Sequence, residues 1–196
     1  MLKKTIAGGA VILAISFGAL LAQDKGKGGG RGGPKGPGLT LTSPDLVDGD
    51  VIPDKFTQKA GSSAASPKLE WTNVPMGVVT FALLFHDPDA APGKKVEDVT
   101  HWMMFNIPGD AKGLPAGMSA DAKLADGAIQ IKNTRGAVGF MGPGAPAPGP
   151  YHHYTFELFA LDTKLDLTAD ATRADVMKAM DGHVVAKGVL EGRFHQ

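Results

Sequence analysis

Apolar residues in this chain come in short runs that Gly and Pro interrupt again and again. "VVTFALLF" (78–85) is a continuous apolar run of strand length, and "HWMMFNI" (101–107) is another. "YHHYTFELFALD" (151–162) gives the clearest strand signal of all. "LTLT" (39–42) alternates, and Leu69 and Trp71 stand at period two between prolines. Runs of this length and spacing predict a mainly β domain. One helix is expected near the end. Thr172-Arg-Ala-Asp175 has the form of a capping box, Val176, Met177 and Met180 would share a face, and Gly182 can supply the stop. A final strand is expected in "HVVAKGVLEGRF" (183–194).

Three segments follow from composition along the chain. Residues 1–22 read as an export signal, with Lys3 and Lys4 before an apolar stretch from Ile6 to Leu21. Ala22-Gln23 is the expected cleavage point. The alternative is a retained short anchor, although the stretch falls short of the roughly 20 residues a spanning helix needs. Residues 23–38, "QDKGKGGGRGGPKGPG", are too rich in glycine to bury apolar surface and read as a basic tether. Residues 39–196 form the expected domain. Exported, the protein would be periplasmic or extracellular, or tethered to the membrane if the leader stays.

Charge and cysteine usage narrow the function. The chain of 196 residues has formal net charge zero, which argues against a nucleic-acid binder. The neutrality hides an asymmetry: the first 38 residues hold six basic side chains and one acid, and the rest hold 14 basic and 19 acidic. With no cysteine, disulfides and thiolate metal sites are excluded. Hydrophobic content of 43% is enough for a real core.

Four features could carry chemistry. The run 78–85 stops at His86-Asp87-Pro88-Asp89, where Pro88 cannot donate to a ladder. His101 opens the next run; strict alternation would put it on one face with Met103 and Phe105, and Trp102, Met104 and Asn106 on the other. His152 and Tyr154 share a face above Phe156 and Leu158, with His153 and Glu157 opposite. The loop "NTRGAVGFMGPGAPAPGP" (133–150) must be irregular, and its glycines allow close backbone approach to a ligand. Brought together, two imidazoles, a phenol and backbone N–H groups make a donor cradle for a small anion such as phosphate, with the carboxylates orienting the imidazoles.

These residues resemble the phosphatidylethanolamine-binding protein family, the Raf kinase inhibitor proteins, and its bacterial branch in particular. The resemblance runs through "LTSPDLVDGDVIPDKF", "SPKLEWTNVPMG", "DPDAAP", "THWMMFNIP", "GFMGPGAPAPG", "HHYTFELFALD" and "MDGHVVAKGVLEGRF". It implies a β-sandwich of a large and a small sheet, antiparallel in type, with a short C-terminal helix. It also implies a pocket for phosphate-like anions and phospholipid head groups. Asp87 and Asp89 would be the paired aspartates, His101 the first histidine, Gly142 and Pro143 the loop, and His152 and Tyr154 the last wall. Members of the family are not enzymes in the usual sense; some inhibit kinases or proteases. The chain departs from the family pattern at Gly144-Ala145-Pro146, at His153, and at the extra alanine of "DPDAAP".

The resemblance thus leads to a binding protein without catalysis or cofactor. Its ligand would be a phosphate-containing small molecule or head group, a kinase or protease target is open to it, and a homodimer is compatible with it. Anion affinity is expected to fall as pH rises if the histidines bind as imidazolium. Two other readings compete. A metal-dependent hydrolase could use the His/Asp cluster to activate water. An interaction domain could carry a vestigial pocket.

Overall fold

The computed structural model describes Met1 and residues 37–196. The expected leader and nearly all of the expected tether lie outside the described residues. The strands are β1 (Thr40–Thr42), β2 (Asp50–Val51), β3 (Leu69–Thr72), β4 (Thr80–Asp87), β5 (Val99–Pro108), β6 (Gly113–Leu114), β7 (Ile129–Gln130), β8 (His152–Leu161) and β9 (Val184–Phe194). Among the described residues one α-helix, α1 (Arg173–Met180), lies between β8 and β9. No described helix is long and apolar enough to cross a membrane.

Two sheets form. The small one has the order β1-β3-β6, and the large one β2-β9-β8-β4-β5-β7. Pairing is antiparallel throughout except that β2 runs parallel to β9. The expected mainly β architecture with a large and a small sheet and one short helix is therefore present.

The large sheet is covered on both faces, which explains why β4 reads as an unbroken apolar run. One core, with Leu69, Trp71, Phe81, Phe85, Trp102, Tyr154 and Phe156, fills the space between the sheets. The other, with Leu84, Met103, Phe105, Phe159, Val176 and Met180, lies under α1. Both indole N–H groups are satisfied: Trp71 donates to the Ala111 carbonyl at 2.8 Å and Trp102 to Gln130 Oε1 at 2.6 Å. The predicted capping box of α1 is complete, Thr172 accepting from Asp175 N and Asp175 accepting from Thr172 N. Of the expected apolar face, Val176 and Met180 are buried, but Met177 points outward and is exposed. Gly182 follows the helix with φ 81°, a conformation that suits glycine.

Strict alternation fails in β5, and the failure positions the site. Phe85 pairs with Trp102, but the next residue, His86, pairs with Thr100. His101 is the extra residue of a β-bulge, a device that re-aims a side chain. It therefore does not share a face with Met103 and Phe105. Its ring packs in the inter-sheet core against Phe85 (5.4 Å) and Tyr154 (5.2 Å). A second irregularity, with Phe81 opposite Ile107 and Leu83 opposite Met104, accompanies Asn106 at φ 57°. Asn106 turns to the helix side, where it donates to the Leu165 carbonyl and accepts from Leu165 N.

Candidate anion site

Asp87 ends β4 almost completely buried, and His152 begins β8. Asp87 Oδ2 accepts a hydrogen bond from His152 Nδ1 at 2.8 Å. A carboxylate can only accept, so Nδ1 carries hydrogen and Nε2 is left as the ring's open position. Asp87 Oδ1 also accepts from the backbone N–H of Asp89 at 3.1 Å, so the turn at Pro88 fixes the carboxylate from its own chain.

His101 reaches the same region from β5. Its Nδ1 donates to the Met141 carbonyl at 2.8 Å, and Met141 N donates back to the His101 carbonyl at 3.0 Å. The bulged histidine and the glycine-proline loop are thus tied by a reciprocal pair. Burial pushes the His101 pKa below its ordinary 6.5, against the raising effects of the Met141 bond and the Asp87 charge. The ring is consequently neutral near pH 7, with its hydrogen on Nδ1.

Tyr154 differs from the wall donor that the sequence suggested. It is fully buried, and its hydroxyl oxygen accepts from Gly144 N at 3.2 Å and Ala145 N at 2.9 Å. It anchors the loop from beneath. Burial and the neighbouring Asp87 charge push its phenol up to about 12, so it keeps its proton throughout the physiological range.

The loop is also clamped from the other side. Gln58 N donates to the Pro143 carbonyl at 2.8 Å, and Gln58 Nε2 donates to the Gly142 carbonyl at 3.0 Å. A β-carbon on Gly142 would stand 2.8 Å from the Phe56 carbonyl oxygen, and one on Gly144 would stand 2.3 Å from the Gln58 amide. At Gly142 the close atoms are backbone, so glycine is needed there; at Gly144 a side chain would displace the Gln58 amide from the loop. The sequence reading missed Gln58, and nothing in "FTQKAGSS" flags it.

The two aspartates divide their work. Asp89 takes His153, accepting from its backbone N at 2.7 Å and its Nδ1 at 2.8 Å. The backbone bond leads in holding the Asp89 carboxyl below the usual carboxylate range. Asp89 and His153 form a half-exposed pair on the rim, whereas Asp87, His101, His152, Tyr154 and residues 141–145 converge inward.

A separate polar cluster occupies the helix side of the sheet. His86 Nδ1 donates to Asp98 Oδ2 at 2.7 Å, and Asp98 Oδ1 accepts from Arg173 at the start of α1. Burial would raise the Asp98 carboxyl, but the Arg173 and His86 bonds outweigh it and hold it below its ordinary value. His86 thus faces away from His101 and His152. A cleft of about 760 Å³ lies beside Asp98, Thr100 and Arg173 rather than at the histidine pair. Among the described residues, no three His, Asp or Glu side chains gather closely enough to hold a metal ion.

Comparison with known proteins agrees with this fold. Residues 42–195 match the family model described as "Phosphatidylethanolamine-binding protein". A "UPF0098 protein" of Methanothermobacter thermautotrophicus is 40% identical over 158 residues, covering 81% of this chain and 99% of that one. A Mycobacterium tuberculosis protein named "Putative lipoprotein LppC" is 34% identical over 161 residues, 82% of this chain and 74% of that protein. The crystal structure of Escherichia coli YbcL, described as a new member of the mammalian PEBP family, superposes with a TM-score of 0.73 at 29% identity. It covers 82% of this chain and 99% of that one. With the family model spanning the whole β domain and both sheets in place, the chain belongs to the phosphatidylethanolamine-binding protein family.

Proposed function

We propose that the protein is an exported, non-catalytic binding protein that takes a small phosphate-type anion, free or as a phospholipid head group. The ligand sits between His101, His152 and the loop around Gly142 and Pro143. The observation that carries this reading is the buried Asp87 carboxylate bonded to His152 Nδ1, which directs Nε2 outward and stabilises positive charge on the ring when it is protonated. Family membership supports a ligand-binding role, and the relative named as a lipoprotein supports export.

Proton placement narrows the ligand. Neutral His101 offers an acceptor at Nε2, so it receives a hydrogen from a ligand that still holds one. A phosphate monoester carries such a hydrogen below its second pKa, near about 6. Affinity therefore falls as pH rises through that range and the ligand loses its hydrogen. Asp87 and Tyr154 orient and support and do not touch the ligand, and Asp89 with His153 borders the entrance.

Calorimetry with phosphoethanolamine in metal-free buffer, wild type beside His152→Ala, tests this. Binding by the wild type that the substitution abolishes is the expected result. No heat with phosphoethanolamine, together with tight binding of Zn²⁺ under the same conditions, overturns the reading in favour of a metal-dependent hydrolase.

A further inference from the structure

Behind the Met141–Gly142 stretch lies a second concavity of about 430 Å³, bordered by Gln58, Ala64, Arg135, Val138, Phe140 and Met141. Its chemistry is one-sided. Arg135 is the only formally charged side chain among its lining residues, and none is acidic. Arg135 makes no ion pair with a described carboxylate. Its single side-chain hydrogen bond is from Nη2 to Gln58 Oε1 at 2.9 Å, which leaves most of the guanidinium fork open.

The walls are fixed before any ligand arrives. Phe140 stacks on Phe85 with ring centroids 5.5 Å apart and planes 6° from parallel, and meets Trp102 edge-on at 5.8 Å. The turn that carries Arg135 is organised by the buried Asn133, whose Oδ1 accepts from Arg135 N at 3.0 Å and from Ala137 N at 3.3 Å. Gln58 is held by the loop it clamps. A rigid aromatic and aliphatic wall beside one uncompensated guanidinium suits a ligand that is both anionic and apolar.

We infer that this pocket is a second binding site, for a small amphiphilic carboxylate carrying a short alkyl or aryl group. The acid group takes the open side of the Arg135 fork, and the apolar group lies against Phe140, Val138 and Ala64. The two sites adjoin through one loop stretch: Met141 and Gly142 line this pocket, and the Met141 carbonyl accepts from His101. None of the side chains of Asp87, His101 and His152 lines this pocket; Arg135, Val138, Phe140 and Ala64 do.

Sodium hexanoate, titrated into the ¹⁵N-labelled protein and followed by amide chemical shifts, tests the assignment against hexanol and inorganic phosphate. Hexanoate is expected to give saturable shifts at Gly61, Ala64, Ala137 and Val138. Hexanol binds at least about tenfold more weakly, the size of a lost charge-assisted hydrogen bond. Arg135→Gln, with its remaining spectrum unchanged, abolishes saturation, whereas His152→Ala leaves the titration as in the wild type. Absence of saturable shifts in the wild type overturns the inference. So do equal responses to hexanoate and hexanol, an unaffected Arg135→Gln variant, or shifts centred on Asp87 and His152.

Discussion

Asp87 holds His152 by a single 2.8 Å hydrogen bond whose two ends differ in environment: the carboxylate side chain is 5% exposed and the imidazole 19%. The acid is locked in and the ring is presented. Asp87→Asn keeps the shape but removes the negative charge behind the ring. Phosphoethanolamine affinity at about pH 6 is expected to fall by roughly an order of magnitude, the scale of one charge-assisted bond. Calorimetry checks this, and an unchanged affinity would mean that the charge on Asp87 plays no part in binding.

His101 ties stability to acidity. Its folded pKa lies below the ordinary 6.5 because it is buried, so the unfolded chain binds more protons below that value. The contribution of the neutral ring is fully present above pH 6.5 and is lost as pH falls through the lowered folded value. Urea unfolding midpoints of the wild type should therefore drop more steeply on acidification from pH 7 toward about pH 5 than those of His101→Gln. Parallel curves would refute the assignment.

Tyr154→Phe leaves the aromatic packing but takes the acceptor from Gly144 N and Ala145 N. Leaving one buried donor and one half-buried donor without a partner is expected to cost about 1–3 kcal/mol. Amide hydrogen exchange should quicken at 144 and 145 first, ahead of β8, because the loop loses its anchor while the strand keeps its ladder. Denaturant unfolding gives the total cost, and site-resolved exchange identifies the segment that loosens.

How much of this was legible in the sequence depends on the range of the interaction. β4 and β8 could be read because a strand between two cores, or at the edge of one, writes its burial into consecutive residues. The cap of α1 could be read because Thr172 and Asp175 meet within one turn. The facing of His101 could not: counting by twos assumes a regular ladder, and the bulge breaks it where the site begins. Gln58 was invisible because an amide that clamps a distant loop looks like any surface glutamine. The link from the Tyr154 oxygen to Gly144 N and Ala145 N was equally invisible, because the loop's path over β8 is not written in the residues of either segment. Arg135 stood in plain view as the one charge in a glycine-rich segment, yet its lack of an acidic partner among the described residues is a fact of three dimensions.

The bonds that build the anion site join residues far apart along the chain: 40 positions between His101 and Met141, 65 between Asp87 and His152, and 84 between Gln58 and Gly142. No contiguous stretch of the domain contains the site, and each bond closes a long loop whose entropy must be met before the contact returns anything. Folding is therefore expected in the slower, millisecond-to-second range of β topologies with distant pairings, and the site comes into being only with the finished sandwich. On the proposed reading, a phosphate-type ligand would recognise the completed molecule alone, so the melting temperature would rise with ligand concentration, and a half-folded chain in transit would have nothing with which to hold it.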